Sequence, residues 1–558
     1  MTEPTKRWAR DQWETFLYRR RREWVLMRRQ GPGQVQFWFI ALGVGVVAGY
    51  LALGFRVAVS FLQKTFYGAD DVMLASAASE LDWYVILGLP VAGGLAVGLI
   101  LWKFTPDGRA RSVAHVIEGA AIGEGRVEKK IARASAVASM ITLSTGGSTG
   151  REGPVVHLGA ALSTTVSNFI RADGITAREL MGCAVAAAVA ASFNAPIAGT
   201  LFALEVILRH FAVHAFAPIA IASVAGAVVG RLHMGDVTEF SVAAHTVGFY
   251  VELPAFMILG LVSGLVAVLM MKSIFVAEDW ADHFQSVFAI PSWARPGFAG
   301  FLLGVIALKF PHIIGVGYET TSLALTGNLV FETAFIFAVV KVLAVAITVG
   351  GRMGGGVFSP ALMLGALTGL AFGQLATSIF PNASGAETVY ALAGMAAVAS
   401  AVLGAPISTT LIVFELTGDW QIGIAVLVAV SLATILSSRL VDRSFFLTQL
   451  ERRGVHLAEG PSGYLLSTIS VGRLMRPAGS ESGVPRKKAE KLIKKGLGLE
   501  VTMTLEAALP VLEASGRKYL PVVQKVGEET RYVGAIFLVD ALKSYNRALV
   551  ETSKEEHA

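Results

Sequence analysis

The residue best placed to do chemistry in this sequence is an acidic side chain set between two glycines and just ahead of a proline: Glu152, in Gly150-Arg151-Glu152-Gly153-Pro154. A carboxylate in an apolar segment is a functional candidate. Ionised, its oxygen can fill the place of an anion; protonated, it can swing away, so one group would link pH, occupancy and gating. A second segment, Gly356-Val357-Phe358-Ser359-Pro360, repeats the pattern, and Gly159-Ala160 and Gly365-Ala366 follow at the same distance from each proline. A further pair of matches comes after: Ala195-Pro196-Ile197 with Thr200-Leu201 and Glu205, and Ala405-Pro406-Ile407 with Thr410-Leu411 and Glu415. A proline fits the first turn of a helix, where its missing N–H costs nothing, and glycines before it let backbone approach a ligand closely. Helix starts present unpaired N–H groups and the positive end of the dipole, which favour anions. Two such starts would hold an anion without a buried lysine or arginine, in a field moderate enough for the ion to leave.

Other readings of the same residues stand beside this one. Gly/Pro-rich segments also let membrane helices pack closely. Glu152 and Arg151 could form a salt bridge at a pore mouth. The symmetry of Glu205 and Glu415 argues for a shared structural duty, such as satisfying nearby backbone donors, and His157 reads as a hydrogen-bonded packing residue.

The elements that position these residues must lie in a membrane, because 54% of the 558 residues are hydrophobic and 16% charged, with a mean hydropathy of +0.60. Nearly charge-free runs at 35–55, 84–102, 211–230, 250–271, 297–308, 331–350 and 421–438 are long enough, or almost so, to cross about 30 Å of hydrocarbon as helix. The stretches 141–165, 182–205, 350–370 and 391–416 are Gly/Pro-rich and carry the repeated motifs. Irregular backbone at membrane depth is tolerated where protein covers it or water fills a cavity, so these segments are expected to line the pathway. Duplicated, interrupted apolar segments are the sequence pattern of a substrate site near the bilayer midplane.

Basic residues set the expected orientation. Lys6, Arg7, Arg10, Arg19 to Arg22, Arg28 and Arg29 precede the first span, Asp70, Asp71, Glu80 and Asp82 follow it, and Arg439, Arg443, Arg452 and Arg453 flank the last, so both termini are expected to be cytoplasmic. The basic stretch, interleaved with Trp8, Trp13, Phe16 and Trp24, reads as an interfacial helix on anionic lipid rather than a nucleic-acid site, and the net charge of +6 fits. No cleavable signal peptide is expected. The lone Cys183 excludes an intramolecular disulfide framework and a Cys-based metal site.

Together with Ser144-Thr145-Gly146-Gly147-Ser148 and Phe193-Asn194-Ala195-Pro196, the two Gly-rich motifs carry a resemblance: over residues 35–450 the chain resembles the CLC chloride channels and proton-coupled chloride transporters. The resemblance implies an all-α polytopic membrane protein with an inverted-repeat fold of broken helices, assembled as a homodimer of independent pores. It gives Glu152 the role of gating glutamate and assigns the central anion site to the backbone amides of Val357 and Phe358 beside Gly356; Gly150, Arg151 and Gly153 are expected to take part in anion binding as well. Three positions depart from the family. Ala110-Arg111-Ser112-Val113-Ala114 stands where the family has Gly-Ser-Gly-Ile-Pro, so Arg111, or Ser112 after a one-residue shift, replaces the anion-facing serine. Phe446 replaces the inner tyrosine. Val206, next to Glu205, replaces an internal proton-transfer glutamate and cannot carry a proton.

The expected function is therefore transmembrane anion transport, with chloride and protons at Glu152 as its ligands, channel-like or loosely proton-coupled. Strict chloride/proton exchange, or selectivity for fluoride or nitrate, is the alternative. No metal-ligand spacing such as His-Glu-x-x-His stands in the sequence and the one cysteine has no evident histidine partner, so no enzyme is expected, and no cofactor or metal is implied. The expected domains are a basic segment 1–34, a membrane domain 35–450 with halves 35–235 and 245–450, and a cytoplasmic α/β domain 451–558. In the last, a helix from Leu505 and strands at 519–523 and 532–536 resemble one CBS module, for which Val471 to Pro477 looks like the opening of an incomplete first copy. Asp540 matches a ribose-contacting position in nucleotide-binding CBS domains, though a structural or dimer-stabilising duty is the favoured reading. A bacterial inner membrane is the expected location.

Overall fold

The computed structural model describes residues 32–555 except 212, 236–248, 382–383, 456, 458–465, 467–468, 481–482 and 527–528. The basic, aromatic stretch 6–29 lies outside the described residues. Among them, eight helices are long and apolar enough to cross a membrane by length and composition: Gln34–Tyr67, Trp83–Phe104, Gly174–Phe193, Val213–Met234, Val251–Val287, Phe331–Gly350, Phe358–Ile379 and Trp420–Glu451. One expectation needs correction: the run at 297–308 is a helix of only 13 residues, Arg295–Ala307. The stretches at 182–205 and 350–370 are interrupted, at Asn194-Ala195 and at 351–357, next to the full-length helices Gly174–Phe193 and Phe358–Ile379. Alanine and glycine make these two less hydropathic than a lipid-facing span, and they are the most buried of the eight, held by neighbouring helices rather than by lipid.

Small residues set the helix packing. Gly45 and Gly49 on the first helix meet the backbone of Ala222 and Gly226 on Val213–Met234; Gly94 meets Pro296 and Gly300 meets Pro90; and Gly365 meets Gly394 across the seam between Phe358–Ile379 and Glu387–Leu403. A side chain at any of these positions would force the backbones apart.

The repeated Ala-Pro-Ile motifs break the chain in the same way in both copies. Asn194 (φ 56°) ends Gly174–Phe193 in the left-handed conformation, and Pro196 opens the next helix. Gly404 (φ 70°) ends Glu387–Leu403, and Pro406 opens Pro406–Thr417. A left-handed cap stops one helix and a proline at the first turn starts another in a new direction. The first copy then relaxes into a π-helical turn, Ala203–Leu208.

Beyond the membrane helices lies a small α/β unit. Its four-stranded sheet has the order β1–β4–β3–β2, with β1 Arg476–Pro477, β2 Leu499–Glu500, β3 Tyr519–Val526 and β4 Glu529–Phe537. β2 runs parallel to β3, and the other pairs are antiparallel. Leu505, Leu509, Leu512, Leu520, Val522 and Ile536 form its core with Val471 and Ala541. The segment expected to open a separate copy instead pairs with the edge of this sheet, Arg476 opposite Ala535 and Pro477 opposite Gly534.

Candidate functional site

The two Gly-rich motifs meet. Gly150 donates its N–H to the Gly356 carbonyl at 2.7 Å and accepts from the Gly356 N–H at 2.8 Å, an antiparallel bridge between the two copies. Thr149 Oγ1 adds a bond to the Gly356 carbonyl at 2.8 Å. The pairing sets the starts of the helices Glu152–Ile170 and Phe358–Ile379 side by side. Gly355 sits at φ +140°, where a Cβ would overlap Thr149, so only glycine fits. At Gly153 a Cβ would overlap the hydroxyl of Ser112 and lie 3.2 Å from the Gly356 Cα. Ser112 stands at the N-cap position of a third helix, Val113–Ala121, with no side-chain bond to it. Three helix N-termini therefore converge on one small region of backbone N–H groups.

Glu152 is 2% exposed and places its carboxylate among them. Its Oε1 accepts from Ser359 Oγ at 2.5 Å and from Tyr318 OH at 3.2 Å. Oε2 has no hydrogen-bond partner, and it lies close to Gly150, which is also beside the Ser359 N–H. Arg151 does not turn to Glu152: its guanidinium lies over the Tyr318 ring, 4.7 Å from the centroid, and 3.8 Å from Asp71. Asp71 in turn accepts from Gln63 Nε2 at 2.6 Å. The fully buried Lys341 reaches toward this network from Phe331–Gly350, its Nζ 3.5 Å from the Ile313 carbonyl.

Of the two candidates for the family's serine position, Ser112 is the one against the glycines, and its buried Oγ has no partner. Arg111 points elsewhere, to Asp107 at 3.0 Å, while its N–H donates to Ser135 Oγ and its carbonyl lies 3.2 Å from His157 Nδ1. His157 keeps an unpartnered Nε2 and faces His115 edge-on.

Phe358 packs its ring on Phe193 and Phe202, with centroids 4.9 and 6.0 Å away, which leaves only backbone at the helix start. Phe446 is buried on the helix Phe445–Glu451, which touches Val113–Ala121. Val206 is buried within the π-helical turn.

Glu205 and Glu415 cap one another's halves. Glu205 accepts from the N–H groups of Ile407 and Ser408 at 2.9 and 2.8 Å, and Glu415 from those of Ile197 and Ala198 at 2.9 and 2.8 Å. Each carboxylate satisfies the exposed helix start of the other repeat. Asp540, in the small α/β unit, pairs with Arg476 at 2.8 Å, and Arg476 also covers the Phe537 ring.

Tyr318 and Lys341 were not legible as site residues, and Asp71 was legible only as one of the acids after the first span. The available signal for Tyr318 was Gly315-Val316-Gly317 ahead of it, a run in which Gly315 and Gly317 take positive φ. Ser359 stood in the quoted motif, but nothing local pairs it with Glu152.

Known proteins are similar to this chain in sequence and in fold. The family described as "Voltage gated chloride channel" matches residues 93–438. The voltage-gated ClC-type chloride channel ClcB of Escherichia coli is 29% identical over 415 residues, covering 73% of this chain and 97% of ClcB. Among solved structures, a slow cyanobacterial Cl⁻/H⁺ antiporter superposes with a TM-score of 0.65 at 22% identity, over 76% of this chain and 98% of its own. A eukaryotic CLC transporter superposes with a TM-score of 0.65 at 18% identity, over 93% and 98%. Because the family match spans well over half of the sequence and includes both Gly-rich motifs, and the architecture is that of CLC transporters, this multi-pass membrane protein belongs to the CLC voltage-gated chloride channel family.

Proposed function

We propose that this protein moves chloride or a similar anion across the membrane through the junction of its two repeats, with Glu152 as the gate. The observation that carries the reading is the Glu152 carboxylate lying at the paired starts of Glu152–Ile170 and Phe358–Ile379, where partial positive charge would otherwise attract an anion. Ionised, Glu152 competes with the ion; protonated, it gives up that place. Ser112 Oγ, unpartnered on the same glycines, supplies a hydroxyl donor, and the amides of Val357 and Phe358 with Gly356 form the backbone part of the site.

Passive or loosely coupled flow is the favoured mode, because Val206 offers no proton site and Phe446 no hydroxyl. A second reading, chloride/proton exchange, draws support from the fold likeness to an antiporter. We place the protein as a homodimer in a bacterial inner membrane with both termini cytoplasmic, and Asp540 in a structural rather than nucleotide-binding role, since Arg476 occupies its carboxylate.

Chloride efflux from proteoliposomes with simultaneous recording of proton movement tests the function. Efflux without stoichiometric proton uptake is expected, and proton pumping driven by a chloride gradient would replace the channel-like mode with exchange. Glu152→Gln is expected to raise flux about tenfold, the equivalent of removing one charge-assisted hydrogen bond, and to flatten its rise toward acid pH. Unchanged flux and pH response would remove Glu152 from the gate.

A further inference from the structure

We propose that Tyr318 is a positioning residue whose hydroxyl latches the Glu152 gate, an inference that rests on the gating role given to Glu152 above. Tyr318 opens the helix Tyr318–Leu325 and is 5% exposed. Its OH is 3.2 Å from Glu152 Oε1, and that oxygen also takes the Ser359 hydroxyl at 2.5 Å. Both donors come from the second repeat and the carboxylate from the first, so the latch spans the same junction as the proposed ion path.

The ring is fixed from behind. The Arg151 guanidinium lies over its face at 4.7 Å, Asp71 holds Arg151, and Gln63 holds Asp71. Gly317, at φ +91°, delivers the tyrosine into this position; a Cβ there would overlap Met363 Sδ and approach Lys341 Nζ to 3.3 Å. An aromatic ring pinned on one side by a cation and ending in a single donor has little freedom to point its hydroxyl elsewhere.

The latch is asymmetric, and the asymmetry is what makes it a device. Both hydroxyls converge on Oε1, while Oε2 has no partner. A proton can therefore add at Oε2 without breaking either contact. Once it has added, Oε1 belongs to a neutral acid, and hydroxyl donors hold a neutral oxygen far less strongly than a carboxylate. The grip is firm while the gate is charged and loosens when it is neutral, so release follows protonation. The other ionisable groups near the carboxylate are Arg151 at the cap of its helix, Asp71 from the loop after the first span and Lys341 from Phe331–Gly350, while His157, farther along the same helix, turns to the Arg111 carbonyl and His115. None of them contributes a hydroxyl to Oε1.

Tyr318→Phe removes the hydroxyl and keeps the ring and its cation contact. Chloride efflux from proteoliposomes is measured against pH for the native protein, Tyr318→Phe, Glu152→Gln and the double variant, each checked for a monodisperse size-exclusion profile. Donors to a carboxylate favour its charged form, so Tyr318→Phe is expected to move the pH of half-maximal flux upward by about one unit and to raise flux at neutral pH about threefold to tenfold. In the Glu152→Gln background the same substitution is expected to add nothing. Ser359→Ala provides a second variant with the same direction of shift. A Tyr318→Phe profile that overlays the native one, in a protein where Glu152→Gln does respond, overturns the latch and leaves the gate standing. An equal Tyr318→Phe effect with and without Glu152 also overturns it. A Glu152→Gln protein that behaves like the native one overturns the gate itself.

Discussion

Gly150 and Gly356 exchange both of their backbone hydrogen bonds, at 2.7 and 2.8 Å, and so join the two copies of the repeat at the point where each copy starts a helix. This two-residue bridge brings Glu152 to the start of Phe358–Ile379, although nothing in the local sequence of either segment refers to the other. The exchange between Glu205 and Ser408, answered by Glu415 and Ala198, repeats the relationship a short way along the chain.

Those reciprocal carboxylates predict a stability effect. Glu205→Ala leaves the N–H groups of Ile407 and Ser408 without their acceptor, and Glu415→Ala does the same to Ile197 and Ala198. Each substitution is expected to cost about 2–4 kcal/mol, the penalty of two orphaned backbone donors, and Glu205→Ala also removes the acceptor of the Ser408 hydroxyl. Thermal melts in detergent check it. A Glu205→Gln variant, which keeps an acceptor oxygen, should lose clearly less.

At Gly355 the expected result is loss of the folded protein. Its φ of +140° and the adjacent Thr149 leave no room for a side chain, so Gly355→Ala should give aggregated protein on fluorescence size exclusion. Gly54, on the exposed face of the first helix with no atom near its Cα hydrogen side, is the control: Gly54→Ala should elute like the native protein.

Selectivity should respond to Ser112 and not to Arg111. The Ser112 hydroxyl stands free against Gly153, whereas the Arg111 guanidinium is paired with Asp107. Ser112→Ala is expected to change the chloride-to-nitrate flux ratio about fivefold, near the net worth of one hydrogen bond. Arg111→Gln should leave that ratio in place and lower flux only at low ionic strength, where a charge near the path still acts at a distance. Anion-substitution fluxes at two salt concentrations separate the two.

A pH effect on stability is expected from the turn after Leu208. Burial, with Arg178 and His214 adding to it, pushes the His210 imidazole down to about 4. Its folded value is thus below the ordinary value of about 6.5, and the unfolded chain binds the proton more readily. The stabilising contribution is complete above the ordinary value and is lost as pH falls toward 4. Melting temperature should drop between pH 7 and pH 5, and His210→Gln should make that drop smaller; an identical drop in the variant would assign it to other groups.

How far the sequence could be read depended on whether a feature is local. Most of the spans, the prolines of the repeated motifs, and the helix and strands of the C-terminal unit all follow from residues within a few positions of one another, and the repeat itself is a matter of spacing. The fold class and family were legible for that reason. The length of Gly174–Phe193 and Phe358–Ile379 was not, because their burial depends on neighbours that hydropathy does not register.

By itself, then, the sequence determined a duplicated membrane protein with broken helices, two glycine-flanked helix starts and one acidic residue among them. Only the tertiary structure decided what that acid touches: Tyr318 and Ser359 on Oε1, Arg151 turned away to Asp71, and Ser112 rather than Arg111 against the glycines. The reason is geometric. A helix start advertises unpaired N–H groups through its own residues, but the direction of a side chain across a junction is set by which backbones can come close, and here the glycines of two distant segments allow that approach.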